Sequence, residues 1–278
     1  MSDQGYIDVD GGRLNWDASG RGTPIVLLHG FSFDRRSWDP QMAALAAAHR
    51  VVRYDLRGFG ASTVPTGPYR HIDDLRVLIE TLSVEEPLLV GLSLGANIAL
   101  AYSIEHAGEV AGSVLASPGL PGYQWIKQRP PEAASAYAAV HGAAEGKRFW
   151  LDHPIFESLR DYPRAQASVA QMVNDYSGWH WLNSDLQRTG PDIRARLGAM
   201  ASPLLVISGD RDVEGYREIA AEIARTVPHS ALVRIGSAGH VMNLEQPEEF
   251  TAQILQFAHS VESERAARGA AGPASRET

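Results

Sequence analysis

Six short apolar runs separated by longer amphipathic stretches restrict this chain to one broad architecture. Pro24–Leu28, Arg50–Tyr54, Pro87–Leu92, Val110–Ala116, Pro203–Ser208 and Ala231–Ile235 are rich in Val, Ile and Leu and are bounded by Gly, Pro or Asp. Runs of this length without polar alternation read as strands covered on both faces. Cover on both faces is what a mainly parallel sheet demands. The stretches Trp38–Ala48, Tyr69–Leu82, Leu94–His106, Tyr216–Thr226 and Pro247–His259 are each long enough to form a right-handed crossover helix. Ahead of them, Tyr6–Val9 and Arg13–Trp16 flank Asp10-Gly11-Gly12, a turn signal for an antiparallel hairpin at the sheet edge. The expected fold is α/β: an eight-stranded, mainly parallel sheet flanked by helices.

The alternation stops after Ala116 and resumes at Pro203. The interval holds Trp125, Trp150, Trp179 and Trp181, four of the six tryptophans, and reads as helical. Because the β-α pattern continues one sheet on either side, the interval is expected to be a helical cap inserted at residues 119–199. The core is then expected at 1–118 and 200–260. Residues 261–278 are small, polar and aperiodic, as in a disordered tail.

A net charge of −8 gives no general attraction for phosphate backbones or anionic lipid, so nucleic acid and membrane are not expected partners. The absence of cysteine removes disulfides, thiolate metal sites and a cysteine nucleophile. The first residues carry no cationic segment followed by an apolar run, and nowhere do ~18 consecutive apolar residues occur, which predicts a soluble, cytoplasmic protein. Gly58-Phe59-Gly60-Ala61-Ser62-Thr63 lacks the third glycine of a dinucleotide loop, and there is neither a G-x-x-x-x-G-K-[ST] nor an H-E-x-x-H motif. No cofactor and no metal are expected.

Gly91-Leu92-Ser93-Leu94-Gly95 follows the strand PLLV and opens a helix, the strand–turn–helix context of a nucleophile elbow. Small flanks are needed because the turn forces the serine backbone into strain while lifting its oxygen into the open. A serine N-cap on a crossover helix is the plainer reading of the same residues. A serine hydroxyl needs a base, ordinarily histidine, and the imidazole needs an acid to hold its tautomer. His240, in Gly239-His240 past the last strand, and Asp212, ending Gly209-Asp210-Arg211-Asp212 after PLLVIS, fall on loops at the same sheet edge as Ser93. The oxyanion donor nearest in sequence is the N–H of Leu94.

His29-Gly30-Phe31, Asp55–Ser62, Gly91–Gly95, Gly209–Asp212 and Gly239-His240 occur in the order found in α/β-hydrolase fold enzymes, and the chain resembles that superfamily over residues 5–257. The resemblance implies Asp212 as the acid, Asp210 as a turn residue, and the N–H of Phe31 as a second oxyanion donor. His29 is expected to be structural. Family members often carry a proline a few residues after the acid, whereas this chain reads Val213-Glu214-Gly215-Tyr216.

The first half, with Trp38-Asp39-Pro40-Gln41 and Gly67-Pro68-Tyr69, is similar to serine carboxylesterases and 3-oxoadipate enol-lactonases. The reading is a hydrolase of a small carboxylic ester or lactone. A C–C bond hydrolase of ring-cleavage diketones, a cofactor-free perhydrolase and a ligand-binding receptor are the alternatives on the same fold. Trp125, Trp150, Trp179, His180 and Trp181 are expected to roof the substrate pocket. A small-molecule substrate is the expected partner, with a homodimer left open.

Overall fold

The computed structural model describes residues 3–188 and 190–270. Eight strands form one sheet: β1 (Asp3–Val9), β2 (Gly12–Ser19), β3 (Pro24–Leu28), β4 (Arg50–Tyr54), β5 (Leu88–Leu92), β6 (Gly112–Ala116), β7 (Leu204–Gly209) and β8 (Ser230–Ile235). Their spatial order is β1-β2-β4-β3-β5-β6-β7-β8. β1 and β2 form the expected hairpin, with Val9 opposite Gly12 and Gly11 at φ +71° in the turn. β2 pairs antiparallel with β4, and every later pairing is parallel. This is the α/β-hydrolase fold, as expected. β5, β6 and β7 are buried throughout because helices cover both faces, whereas β1 and β8 at the edges alternate with exposed positions.

The core helices are α1 (Asp39–Leu45), α2 (His71–Thr81) and α3 (Leu94–Glu105). α2 buries Ile72, Leu75, Leu78 and Ile79, a single apolar stripe, while α3 is buried nearly all round beneath the sheet centre. Between β6 and β7 run α4 (Pro130–His141), α5 (Ala143–Leu151), a 3-10 helix (Pro154–Asp161), α6 (Pro163–Asp175), α7 (Trp179–Leu182) and α8 (Ile193–Arg196). Polar contacts tie this insertion to the core: Trp150 Nε1 donates to Ser32 Oγ (2.7 Å), Arg36 pairs with Asp175 (2.8 Å), and Tyr69 donates to Asp185 (3.0 Å).

The chain ends with α9 (Glu214–Thr226), α10 (Met242–Glu245) and α11 (Pro247–Ala270). α11 corrects the expectation of a disordered tail from 261 onward. Glu262 accepts a hydrogen bond from Thr23, and Arg265 pairs with Glu86, so contacts with the bottom of the sheet hold a segment that lacks an apolar period. The rest of that expected tail, 271–278, lies outside the described residues. No described helix is long and apolar enough to cross a membrane.

Candidate active site

Ser93 sits between β5 and α3 at φ 52° and ψ −107°, a conformation that costs a non-glycine residue roughly 1–3 kcal/mol. The surroundings enforce it. Ser93 N donates to Ala116 O (2.8 Å) and Asn97 N donates to Ser93 O (3.0 Å). A Cβ on Gly91 would collide with the Gly95 backbone, and one on Gly95 with the carbonyl of Leu28. The glycines of the G-x-S-x-G segment are therefore demanded by the close approach of helix to sheet.

Asp212 follows β7 and His240 follows β8, so both reach the same sheet edge. His240 Nδ1 contacts both carboxylate oxygens of Asp212, at 3.0 and 3.1 Å. Two further donors fix the carboxylate: Ser117 Oγ to Oδ2 (2.6 Å) and Val213 N to Oδ1 (2.7 Å). An acid so placed holds the Nδ1–H tautomer and leaves Nε2 free as a base. The His240 loop is braced by Glu245, whose carboxylate accepts from Gly239 N, from Val241 N (3.3 Å) and from Ser158 Oγ (3.1 Å). Burial pushes the Glu245 carboxyl up, against the pull of those donors.

Two cavities share Ser93, Phe31, Pro131 and Tyr216 in their linings. The larger, of about 210 Å³, is walled by Phe31, Phe59, Leu94, Pro131, Trp181 and Tyr216, and on its polar side by His71, Asn97, His180 and Gln187. The smaller, of about 10 Å³, includes Phe31, Ser93, Trp150, Phe156, Tyr216 and His240. Ser93 and His240 thus share a wall, and Phe31 and Leu94, the residues expected to supply backbone donors, both face the serine's chamber.

His29 is fully buried, with Nδ1 donating to Gly30 O (2.8 Å) and Nε2 accepting from Leu56 N (2.9 Å). Burial lowers its pKa, and both ring nitrogens are occupied, so it stitches the loop after β3 to the loop after β4. The Asp55–Ser62 segment is likewise structural. Asp55 accepts from Arg35 Nη1 (2.7 Å), Arg35 N (2.8 Å) and Ala61 N (2.9 Å), and Gly60 leaves room for its carboxylate.

The insertion brings three of the five expected roof residues to the cavity. Trp150 enters the small chamber, and His180 and Trp181 enter the large one. His180 stacks on Phe59 (4.4 Å, 13°) and contacts the Tyr176 hydroxyl through Nδ1 (2.9 Å); burial pushes its pKa down to about 4. Trp125 and Trp179, expected beside the substrate, line neither chamber. Trp125 packs 5.0 Å from Tyr216 and reaches the site only through that ring. Trp179 is half-buried and meets His180 edge-on at 4.9 Å.

Sequence reasoning passed over Tyr216, His71 and Asn97. Tyr216 is buried, its ring lies 4.4 Å from that of His240, and it lines both chambers together with Ser93. The one available signal was that it falls four residues after Asp212, where the resemblance breaks. His71 opens α2 and lines the large chamber; burial pushes its pKa down to about 3. Among the described residues, His71 Nδ1, His180 Nε2 and Trp181 Nε1 are buried without a hydrogen-bond partner. No group of three or more His, Asp or Glu among the described residues is arranged to hold a metal ion.

Comparison with known proteins bears on the fold and the family. The profile of the alpha/beta hydrolase family matches residues 25–253. The AB hydrolase superfamily protein YisY of Bacillus subtilis is 29% identical over 258 residues, covering 87% of this chain and 93% of its own. A thermophilic esterase from Thermogutta terrifontis superposes with a TM-score of 0.79 at 29% identity, covering 93% of this chain and 99% of the esterase. The enol-lactonase of Burkholderia xenovorans LB400 shares the fold, with a TM-score of 0.77 at 24% identity and coverage of 92% and 100%. From the sheet order, the elbow after β5 and the profile match across most of its length, this chain belongs to the alpha/beta hydrolase family.

Proposed function

We propose that this protein hydrolyses a small carboxylic ester or lactone through an acyl-enzyme on Ser93. The observation that carries the reading is the contact of Asp212 with His240 Nδ1, on the wall of a chamber that the strained Ser93 also lines. Ser93 Oγ attacks the carbonyl carbon while its proton passes to His240 Nε2. Asp212 stays ionised and stabilises the imidazolium. The carbonyl oxygen, now negative, takes hydrogen bonds from the backbone N–H groups of Phe31 and Leu94; one such donor is worth about 2.7–4 kcal/mol.

The tetrahedral species collapses, and His240 returns the proton to the leaving oxygen. Water then attacks the acyl-enzyme with His240 again as base, releasing the acid and restoring Ser93. The chamber beside Ser93 offers a substrate aromatic walls and a polar side at His71, Asn97 and His180. The similarity to the Thermogutta esterase supports the ester reading.

The test is a panel of p-nitrophenyl esters, alkyl esters and lactones, with a ring-fission diketone beside them, assayed on the wild type and on Ser93→Ala. Turnover of an ester or lactone that Ser93→Ala abolishes supports the reading. Diketone cleavage without ester turnover, or an activity loss below about tenfold in Ser93→Ala, overturns it.

A further inference from the structure

We propose that Asn97 is a specificity-determining residue, whose side-chain amide donates a hydrogen bond to a second, uncharged acceptor on the substrate. The inference rests on the ester reading above and names the class of acyl group that the site takes: one with a ketone or ester carbonyl about one helical turn from the scissile bond. Asn97 follows Ser93 by one turn of α3, its N–H donating to Ser93 O at 3.0 Å, and both residues line the large chamber. Residues so spaced on a helix hold their Cβ atoms about 5–6 Å apart. The amide has one orientation only, because Gly119 N donates to Oδ1 at 2.7 Å and an NH₂ group could not accept that proton. A Cβ on Gly119 would come within 3.1 Å of Nδ2, so the glycine preserves the seat. Nδ2 makes no hydrogen bond among the described residues, and Asn97 is only half-buried, which leaves its protons for an occupant of the chamber.

The neighbouring rings add further spare donors. Trp181 is buried, lines the same chamber and leaves Nε1 without a partner; its Cε3 edge faces Gly146 and Gly178, which puts Nε1 on the opposite edge of the ring. The Tyr176 hydroxyl accepts from His180 N (3.0 Å), so its single proton goes to His180 Nδ1 (2.9 Å). That fixes the His180 ring proton on Nε2, which also has no partner. The carboxylates of the chamber, by contrast, are committed. Asp185 accepts from the Tyr69 hydroxyl (3.0 Å) and from Gln187 N (3.1 Å), and Glu132 pairs with Arg129 (3.2 Å). Ser135 and Gln187 can give or take a hydrogen bond and so fit either kind of group.

A chamber with unpaired donors and occupied carboxylates favours a ligand that brings an acceptor, and a purely aliphatic acyl chain would leave those donors unpaired. The acceptor is uncharged because the lining has no spare cation among the described residues. Burial keeps His71 and His180 neutral, their pKa values pushed down to about 3 and about 4, and Arg129 already faces Glu132. A substrate carboxylate there would lie in one chamber with Asp185 and Glu132 and gain no free positive partner.

The experiment assays the p-nitrophenyl esters of pentanoate, 4-oxopentanoate and hydrogen glutarate on wild type, Ser93→Ala, Asn97→Asp and Asn97→Leu, each rate divided by that of uncatalysed hydrolysis. The wild type is expected to favour the 4-oxopentanoate over the pentanoate by about fivefold or more in kcat/KM, with the glutarate the poorest. Asn97→Asp keeps an oxygen for Gly119 N and removes the donor, so the ratio should fall to about one or below; in Asn97→Leu it should fall to about one. The ratio reports the acceptor alone, since a general loss of folding or of chemistry lowers both esters together. A ratio that Asn97→Asp leaves intact, or the glutarate as the best ester, overturns the proposal. Equal turnover of pentanoate and 4-oxopentanoate through Ser93 overturns this inference alone, whereas no Ser93-dependent turnover of any ester overturns the ester reading and this inference with it.

Discussion

Ser117 donates its hydroxyl hydrogen to Asp212 Oδ2 at 2.6 Å, from the loop that follows β6, while itself held at φ +45°. A hydrogen bond to a charged group contributes about 1.5–3 kcal/mol. Ser117→Ala is therefore expected to lower kcat/KM for an ester roughly tenfold with little change in KM. Ser117→Gly should show the same kinetic loss but a higher Tm than Ser117→Ala, since glycine relieves the positive φ. Equal Tm values for the two variants would remove the backbone part of this argument.

Asp210 and Asp212 lie two residues apart and differ in surroundings. Asp212 is buried against His240, whereas Asp210 is exposed and is held through its backbone, its N–H donating to Ile235 O (3.1 Å). Asp212→Asn should depress kcat by about 10²-fold or more by disturbing the His240 tautomer. Asp210→Asn should stay within about twofold of wild type, as surface substitutions do. Steady-state kinetics on one ester decides the matter, and the reverse ranking would move the acid to Asp210.

The sheet and the nucleophile elbow could be read in the sequence because each rests on local chemistry. Runs of Val, Ile and Leu mark strands buried on both faces, and Gly91 and Gly95 mark a turn that admits no side chain. The edges of elements shifted where local caps compete. Helix α1 starts at Asp39, after a 3-10 turn that Asp34 caps by accepting from Arg36 N (2.9 Å). The roof was less readable. On a one-turn helix successive side chains diverge by about 100°, so Trp179-His180-Trp181 could not announce that Trp179 would turn aside. Tyr216 carries no motif, because its place at the site comes from packing on His240 and Trp125, which lie far from it in sequence.

Burial holds His71 neutral, its pKa pushed down to about 3 from 6.5, with desolvation the leading cause. The unfolded chain takes up this proton below about pH 6.5, while the folded chain refuses it until about pH 3. Stability present above 6.5 is therefore lost as pH falls through that window, by about 2 kcal/mol at pH 5 from this residue. Urea unfolding at pH 7.5 and pH 5.0 should show a loss for the wild type that is smaller by about that amount in His71→Phe. Equal losses in both proteins would mean that His71 already finds a proton in the folded state.

Trp150 and Trp181 border the cavity, while Trp125 and Trp179 do not, and the four should respond differently to substitution. Trp150→Phe keeps a ring against Phe31 and Phe156 but loses the donor to Ser32 Oγ. Ser32 is fully buried, directly follows Phe31 and sits at φ +63°, so an unpaired hydroxyl there costs about 1–3 kcal/mol and disturbs the loop that carries the Phe31 N–H. The expected outcome is a loss of kcat together with a lower Tm. Trp181→Phe leaves that loop intact and widens the large chamber, so KM and the ranking of acyl groups should change while kcat for the best ester stays within about threefold. Trp179→Phe, at a ring that borders His180 from outside the cavity, should leave both ranking and kcat near wild type. Kinetics on a graded series of esters tests all three, and a Trp179→Phe variant that reorders the series as strongly as Trp181→Phe would refute this division of the roof.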